Sequence, residues 1–156
     1  MDYKINELKI YLVSLKHNLV GDFLKNNSSY DGDICKVLFM EENTGRYWDA
    51  KWEGLNIEFK KGKSVWLDLI RYSEVVVGID NSSRQKTFTL FFIPNKEKDK
   101  IIEIIGVNTE RIIDKLGLDI SIAKIFIELN KKMPRSLNAQ ASLTIKDIRE
   151  IADFII

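Results

Sequence analysis

Two carboxylates and a lysine lie close together in one short stretch of this chain: Asp49, then eight residues, then Glu58-Phe59-Lys60. Carboxylate oxygens are the hard ligands magnesium takes, and a magnesium ion so held polarises a phosphate and lowers the pKa of an attacking water. A lysine beside them can position or help deprotonate that water and offset charge on the phosphate. The pattern suits phosphodiester hydrolysis, provided the three side chains converge.

Convergence depends on a hairpin. Gly45 to Lys61 alternates on both sides of Glu53-Gly54-Leu55-Asn56, where Gly54 suits the first central position of a primed turn. That turn sets Trp52 opposite Ile57, Lys51 opposite Glu58, Ala50 opposite Phe59 and Asp49 opposite Lys60. Trp48, Ala50, Trp52, Ile57 and Phe59 then share one face, and Asp49, Lys51, Glu58 and Lys60 the other. Asp49 and Glu58 become diagonal neighbours, roughly 7–8 Å apart at the backbone, with the Phe59 carbonyl as a third candidate ligand. The same register also fits a plainer account, in which Asp49 with Lys60 and Lys51 with Glu58 are cross-strand charge pairs on a solvent face.

The motif Trp48-Asp49, eight residues, Glu58-Phe59-Lys60 resembles the core of the PD-(D/E)xK nucleases, in particular the smaller type II restriction endonucleases. Trp48 stands where the family has a variable proline, and the gap of eight residues is short and demands a tight hairpin. The resemblance covers a short motif as sequence and about two thirds of the chain as element order: a helix and a strand before the hairpin, a helix and further strands after it. It implies a restriction-endonuclease-like core and magnesium held by Asp49 and Glu58, as one or two ions per site. It further implies Lys60 as the catalytic lysine and double-stranded DNA as substrate. A homodimer is implied as well, because cutting both strands of a palindrome takes two sites. A structure-selective nuclease such as a Holliday-junction resolvase and a noncatalytic DNA-binding module stay open as alternatives.

Phosphate contacts come from lysine and arginine, and base readout from arginine, asparagine and glutamine. The candidates are Lys61, Lys63 and Ser64 after the motif, Arg84, Gln85 and Lys86 in the polar run Asn81 to Lys86, and Arg135, Asn138 and Gln140 in a second polar run. Glu41 and Glu42 are candidates for a second ion, although solvated loop acids fit them better. Asp68 and Glu74 read as surface acids partnered by Arg71. His17, the one histidine, lies off the apolar stripe of its helix and is assigned nothing.

The elements that must position these residues follow from periodicity. The chain has 156 residues, 45% hydrophobic and 30% charged, enough for one domain with a sizeable core. Leu8, Leu12, Leu15, Leu19 and Phe23 predict a helix from Ile5 to about Asn26. Ile34 to Met40 reads as a buried strand, with Cys35, the one cysteine, as core filling. Ser64 to Ser73 reads as a short helix, Val75 to Ile79 as a strand, and Asp80 to Gln85 as a loop. Thr87 to Ile93 and Ile101 to Val107 read as strands. Asn108 or Thr109 caps a helix that Gly117 stops. Asp119 to Lys132 is a further helix, although Ile120-Ser121-Ile122 also alternates as a strand would; Met133 to Ser142 is irregular, and Thr144 begins a last helix whose face carries Ile145, Ile148, Ala152 and Ile155. The sum is an α/β fold with a central mixed sheet flanked by helices. A net charge of +1 is far from the strongly basic signature of a protein that coats nucleic acid and weighs against nonspecific DNA binding. No uncharged apolar run approaches the roughly 20 residues of a membrane helix and no export signal is evident, so a cytoplasmic protein is expected.

Overall fold

A computed structural model describes residues 2–26, 30–45, 47–133 and 139–156. Its centre is the pair β5 (Thr87–Pro94) and β6 (Ile101–Asn108), antiparallel and both largely buried. A strand buried on both faces reads as a continuous apolar run, as Leu90 to Ile93 does. On one side β5 pairs in parallel with β3 (Leu55–Lys61), from Asn56 with Thr87 to Lys61 with Phe92. β3 forms a hairpin with β2 (Ala50–Trp52), and β2 pairs with β1 (Glu41–Glu42). β6 carries the short β8 (Phe154–Ile155), completing a six-stranded mixed sheet in the order β1-β2-β3-β5-β6-β8. The parallel step from β3 to β5 requires a crossover, supplied by β4 (Ser64–Asp68), α3 (Leu69–Gly78) and α4 (Asn81–Arg84).

Alternation divides the core into two layers. Ile57, Phe59, Phe88, Leu90 and Phe92 face α1 (Asp2–Leu15) and α2 (Tyr30–Leu38). Phe91, Ile93, Ile105 and Val107 face α3, α5 (Thr109–Leu116), α7 (Ile145–Glu150) and the ribbon of β4 with β7 (Gln140–Thr144). α6 (Ile120–Lys132) packs on α3. Among the described residues no helix is long and apolar enough to cross a membrane.

Several elements are as expected, and their ends show why. The Asn108 side chain accepts from the Glu110 amide at 2.9 Å, and Gly117 takes the left-handed conformation, φ 69°, that stops α5. Asp119 caps α6, and Thr144 with Asp147 forms a capping box on α7.

Others differ. The first helix stops at Leu15, and 3-10 turns at Lys16–Asn18 and Asp22–Lys25 follow it. Leu19 and Leu24 still enter the same core, because the chain between them is tied to the start of β6 through Ile101 N–H to Leu19 O at 2.9 Å. The expected strand at Ile34 to Met40 is the helix α2: Ile34, Cys35 and Leu38 are buried at helical spacing, and Asp31 and Asp33 occupy its first turn, where acids favour a helix. The expected helix and strand over Ser64 to Ile79 exchange places. Asp68 accepts from the amides of Ile70 and Arg71 and starts α3, which overrides the β-branched run by burying Val75 and Val76 and leaving Val77 exposed. Asn81 to Arg84 is a helical turn, Gln140 to Ser142 lies in β7, and the last helix ends at Glu150 so that Phe154 can enter the sheet.

Phe154 has a specific requirement. Its ring lies over Gly106 of β6, where an added Cβ would come within 2.2 Å of Cζ. Gly106→Ala should therefore cost about 1–3 kcal/mol by overpacking. Urea unfolding measures it, and Phe154→Leu in the same chain should return part of the loss.

Candidate active site

The turn of the hairpin lies one residue earlier than expected. Glu53 at φ 47° and Gly54 at φ 82° are its two central residues, giving a two-residue primed turn. The pairs are therefore Trp52 with Leu55, Lys51 with Asn56 and Ala50 with Ile57. A slip of two keeps Ala50, Trp52, Ile57 and Phe59 on one face as expected, but Trp48, expected with them, packs on the other layer, and both expected charge pairs are removed. Lys51 lies between Asn56 and Glu41 and does not face Glu58, and Asp49 does not face Lys60.

Asp49 precedes β2 and is held against β3. Its amide donates to the Ile57 carbonyl at 2.9 Å, although Ala50 is already the partner of Ile57. Two residues thus face one, the arrangement of a β-bulge, which re-aims side chains. The Asp49 carboxylate accepts the Phe59 amide at 2.7 Å. Because N–H and C=O of one residue point to the same side of a strand, the Phe59 carbonyl also faces Asp49 and not β5.

Glu58 projects toward α3 and is 6% exposed. Its Oε1 lies 3.5 Å from Lys60 Nζ and 3.6 Å from Arg71 Nη1, while its Oε2 is buried without a hydrogen-bond partner. Burial, reinforced by the charge of Asp49 and opposed in part by Lys60 and Arg71, pushes its carboxyl up to about 7. A third carboxylate arrives from the other layer. Asp31, in the first turn of α2, is pushed up to about 6 by burial and then by the charge of Asp49 and a hydrogen bond with it, with Lys60 opposing. Its Oδ1 is also buried and unpartnered. The same burial and the nearby acids raise the hydroxyls of Tyr30 and Tyr72 and push the Cys35 thiol up to about 12, so Cys35 fills core and is no nucleophile.

Among the described residues no three histidine, cysteine, aspartate or glutamate side chains form a ready-made metal cage. The donor set nevertheless fits a hard divalent ion. Magnesium keeps several of its waters and takes one or two carboxylates, and the unpartnered Glu58 Oε2, the Asp49 carboxylate and the Phe59 carbonyl are oxygen donors of that kind. A groove of about 450 Å³ between α1 and the hairpin, lined by residues that include Tyr11 and Trp52, contains none of them.

Among the described residues, the expected DNA-contact positions are spread over several parts of the fold. Lys61 donates to the carbonyls of Leu24 and Asn26 and lies 4.5 Å from the Tyr30 ring, so its ammonium is engaged within the fold. Arg84 donates to Glu110 at 2.6 Å and to the Val76 and Ile79 carbonyls, which makes it a bracket between helices. Lys63 is exposed just past the end of β3, whereas Gln85 and Lys86 are exposed at the other end, where Lys86 O accepts the Asn56 amide. Ser64 lies in β4, opposite Thr144. Gln140 pairs with Asp68 at the start of α3, the helix that carries Arg71. Arg135 and Asn138 lie outside the described residues. Glu41 and Glu42 are on the edge strand and exposed; the Glu42 carboxylate lies against Gly32 in α2. His17 is exposed.

No protein-family model, characterised protein or solved structure matches this chain. The site therefore stands on its geometry. Sequence reasoning missed Asp31 and took Arg71 for the partner of Asp68 and Glu74. No spacing rule links either residue to the motif; each reaches the site through the packing of its helix.

Proposed function

We propose that this chain is a magnesium-dependent endonuclease of the PD-(D/E)xK kind that hydrolyses phosphodiester bonds in double-stranded DNA. The observation that carries this reading is Glu58: a buried carboxylate beside Asp49, with one oxygen unpartnered and without the cross-strand lysine that an ordinary hairpin would give it. Leaving a buried carboxylate oxygen without a hydrogen-bond partner costs stability, and such costs are retained where a ligand or reaction uses them. The element order supports the same reading: α2, β1, the β2–β3 hairpin, then a crossover of β4, α3 and α4 that leads to β5 parallel to β3.

Asp49, Glu58 and the Phe59 carbonyl would hold the ion, with Asp31 near enough to Asp49 to bear on the same charge. When bound, the ion supplies Lewis acidity toward the phosphate and a more acidic water. Lys60, on the same face as Glu58, orients the attacking water and offsets charge on the phosphate as the new P–O bond forms and the scissile one breaks. Cutting both strands calls for two copies of the site, hence a homodimer acting on duplex DNA, in the cytoplasm.

A second reading has one observation in its favour: Lys60 and Arg71 both approach Glu58, as they would in a neutralised structural cluster of a noncatalytic binding module. Incubation with a large phage DNA, with and without magnesium, separates the readings. Discrete fragments that require magnesium are the expected result. Cleavage confined to branched substrates would reassign the chain to junction resolution, and intact DNA of every form across several divalent ions would leave the noncatalytic module.

A further inference from the structure

Arg71 stands in the first turn of α3, where the amides of Ile70 and Arg71 are already taken by the Asp68 side chain at 3.0 and 3.1 Å. The helix end therefore has those donors occupied, and it is the guanidinium that faces the site. Arg71 Nη1 lies 3.6 Å from Glu58 Oε1, the same oxygen that Lys60 approaches from the strand side, and the Arg71 side chain is 40% exposed. At that distance it makes an ion pair without a hydrogen bond. A guanidinium carries five N–H donors in a rigid fork that matches two phosphate oxygens.

We propose that Arg71 is a phosphate-binding residue of this site, which holds a DNA backbone phosphate at the rim and releases Glu58 to an incoming divalent ion. This rests on the endonuclease reading and deepens it. In the ion-free protein the two cations share one carboxylate oxygen. A divalent ion on Glu58 displaces that attraction, leaving the arginine fork for the anion that arrives with the substrate. Arg71 then couples the two binding events, and its removal acts on them with opposite sign: the ion loses a competitor, and DNA loses a contact.

The test uses the intact chain with Arg71→Ala and Arg71→Lys, after thermal melts show that both fold. Mn²⁺ binding to the DNA-free protein is measured by calorimetry, and binding of a labelled mixed-sequence duplex is measured in Ca²⁺ over a series of salt concentrations. Arg71→Ala is expected to bind Mn²⁺ a few-fold more tightly and DNA about tenfold more weakly, with the salt slope reduced by about one phosphate contact. Arg71→Lys should recover part of the DNA affinity. Unchanged DNA affinity in Arg71→Ala, or Mn²⁺ binding weakened together with it, overturns the proposal and leaves Arg71 as structural support. If the wild-type chain binds neither Mn²⁺ nor DNA, the endonuclease reading falls first and this inference with it.

Discussion

Asp49→Asn is expected to abolish magnesium-dependent cleavage while leaving the fold intact. The amide oxygen of asparagine can still accept the Phe59 N–H that the aspartate accepts at 2.7 Å, so the bulge keeps its tie to β3. What disappears is a negative charge that burdens both Glu58 and Asp31. A thermal melt should accordingly show equal or higher stability. Activity should fall by about 10³-fold or more, the rate equivalent of losing an ion that contributes several kcal/mol to the transition state. Glu58→Gln should behave alike in a supercoiled-plasmid assay. Lys60→Ala should lose about 10²–10⁴-fold, the range for a positioned proton-transfer group. A folded Asp49→Asn protein that still cuts DNA would sink the metal-ligand assignment. Loss of fold in all three variants would show instead that these charges are architectural.

Parity was legible in the sequence and register was not. The alternation around Gly54 puts Glu58 and Lys60 on one face and Ile57 and Phe59 on the other, as observed. Asn56, however, reads as a turn residue, and in the structure it is a strand residue whose amide donates to Lys86 O, so the centre of the turn moves from Gly54-Leu55 to Glu53-Gly54, with a glutamate in the left-handed region. The central strands were legible for the opposite reason: Phe88 to Ile93 is buried on both faces, and Thr89 alone interrupts its apolar residues. The short helices α2 and α3 were hidden because fewer than three turns of helix leave too few apolar residues to establish a period of 3.6. With those helices misplaced, Asp31 could not be brought to Asp49, nor Arg71 to Glu58. Basic residues failed as a guide for a related reason. A lysine or arginine near the motif is open to DNA only if the fold has not already used it, and Lys61 and Arg84 are held by backbone carbonyls that only the tertiary structure brings near.

Between pH 5 and pH 8 the protein should lose stability as pH rises, and magnesium should restore it at the upper end alone. Glu58 keeps its proton to about 7 in the folded chain, against an ordinary value of 4.5. Across that interval the folded state holds a proton that the unfolded chain has released, so every increment of pH favours unfolding. The accumulated loss is on the order of 3 kcal/mol by pH 8 and vanishes below the ordinary value. Asp31, raised from 3.8 to about 6, adds in the same direction over the lower part of the interval. For a chain of this size the midpoint of thermal unfolding should fall by on the order of 10 °C from pH 5 to pH 8. Glu58→Gln, which carries no proton to lose, should flatten much of that slope and be more stable than the wild type at pH 8. A divalent ion binds the ionised carboxylates and competes with their protons, so magnesium should raise the midpoint clearly at pH 8 and hardly at pH 5, with little effect on Glu58→Gln at either pH. Cleavage should climb over the same interval as Asp31 and Glu58 ionise. An equal magnesium effect at both pH values, or the wild-type slope persisting in Glu58→Gln, would place the ion and the titrating group elsewhere in the molecule.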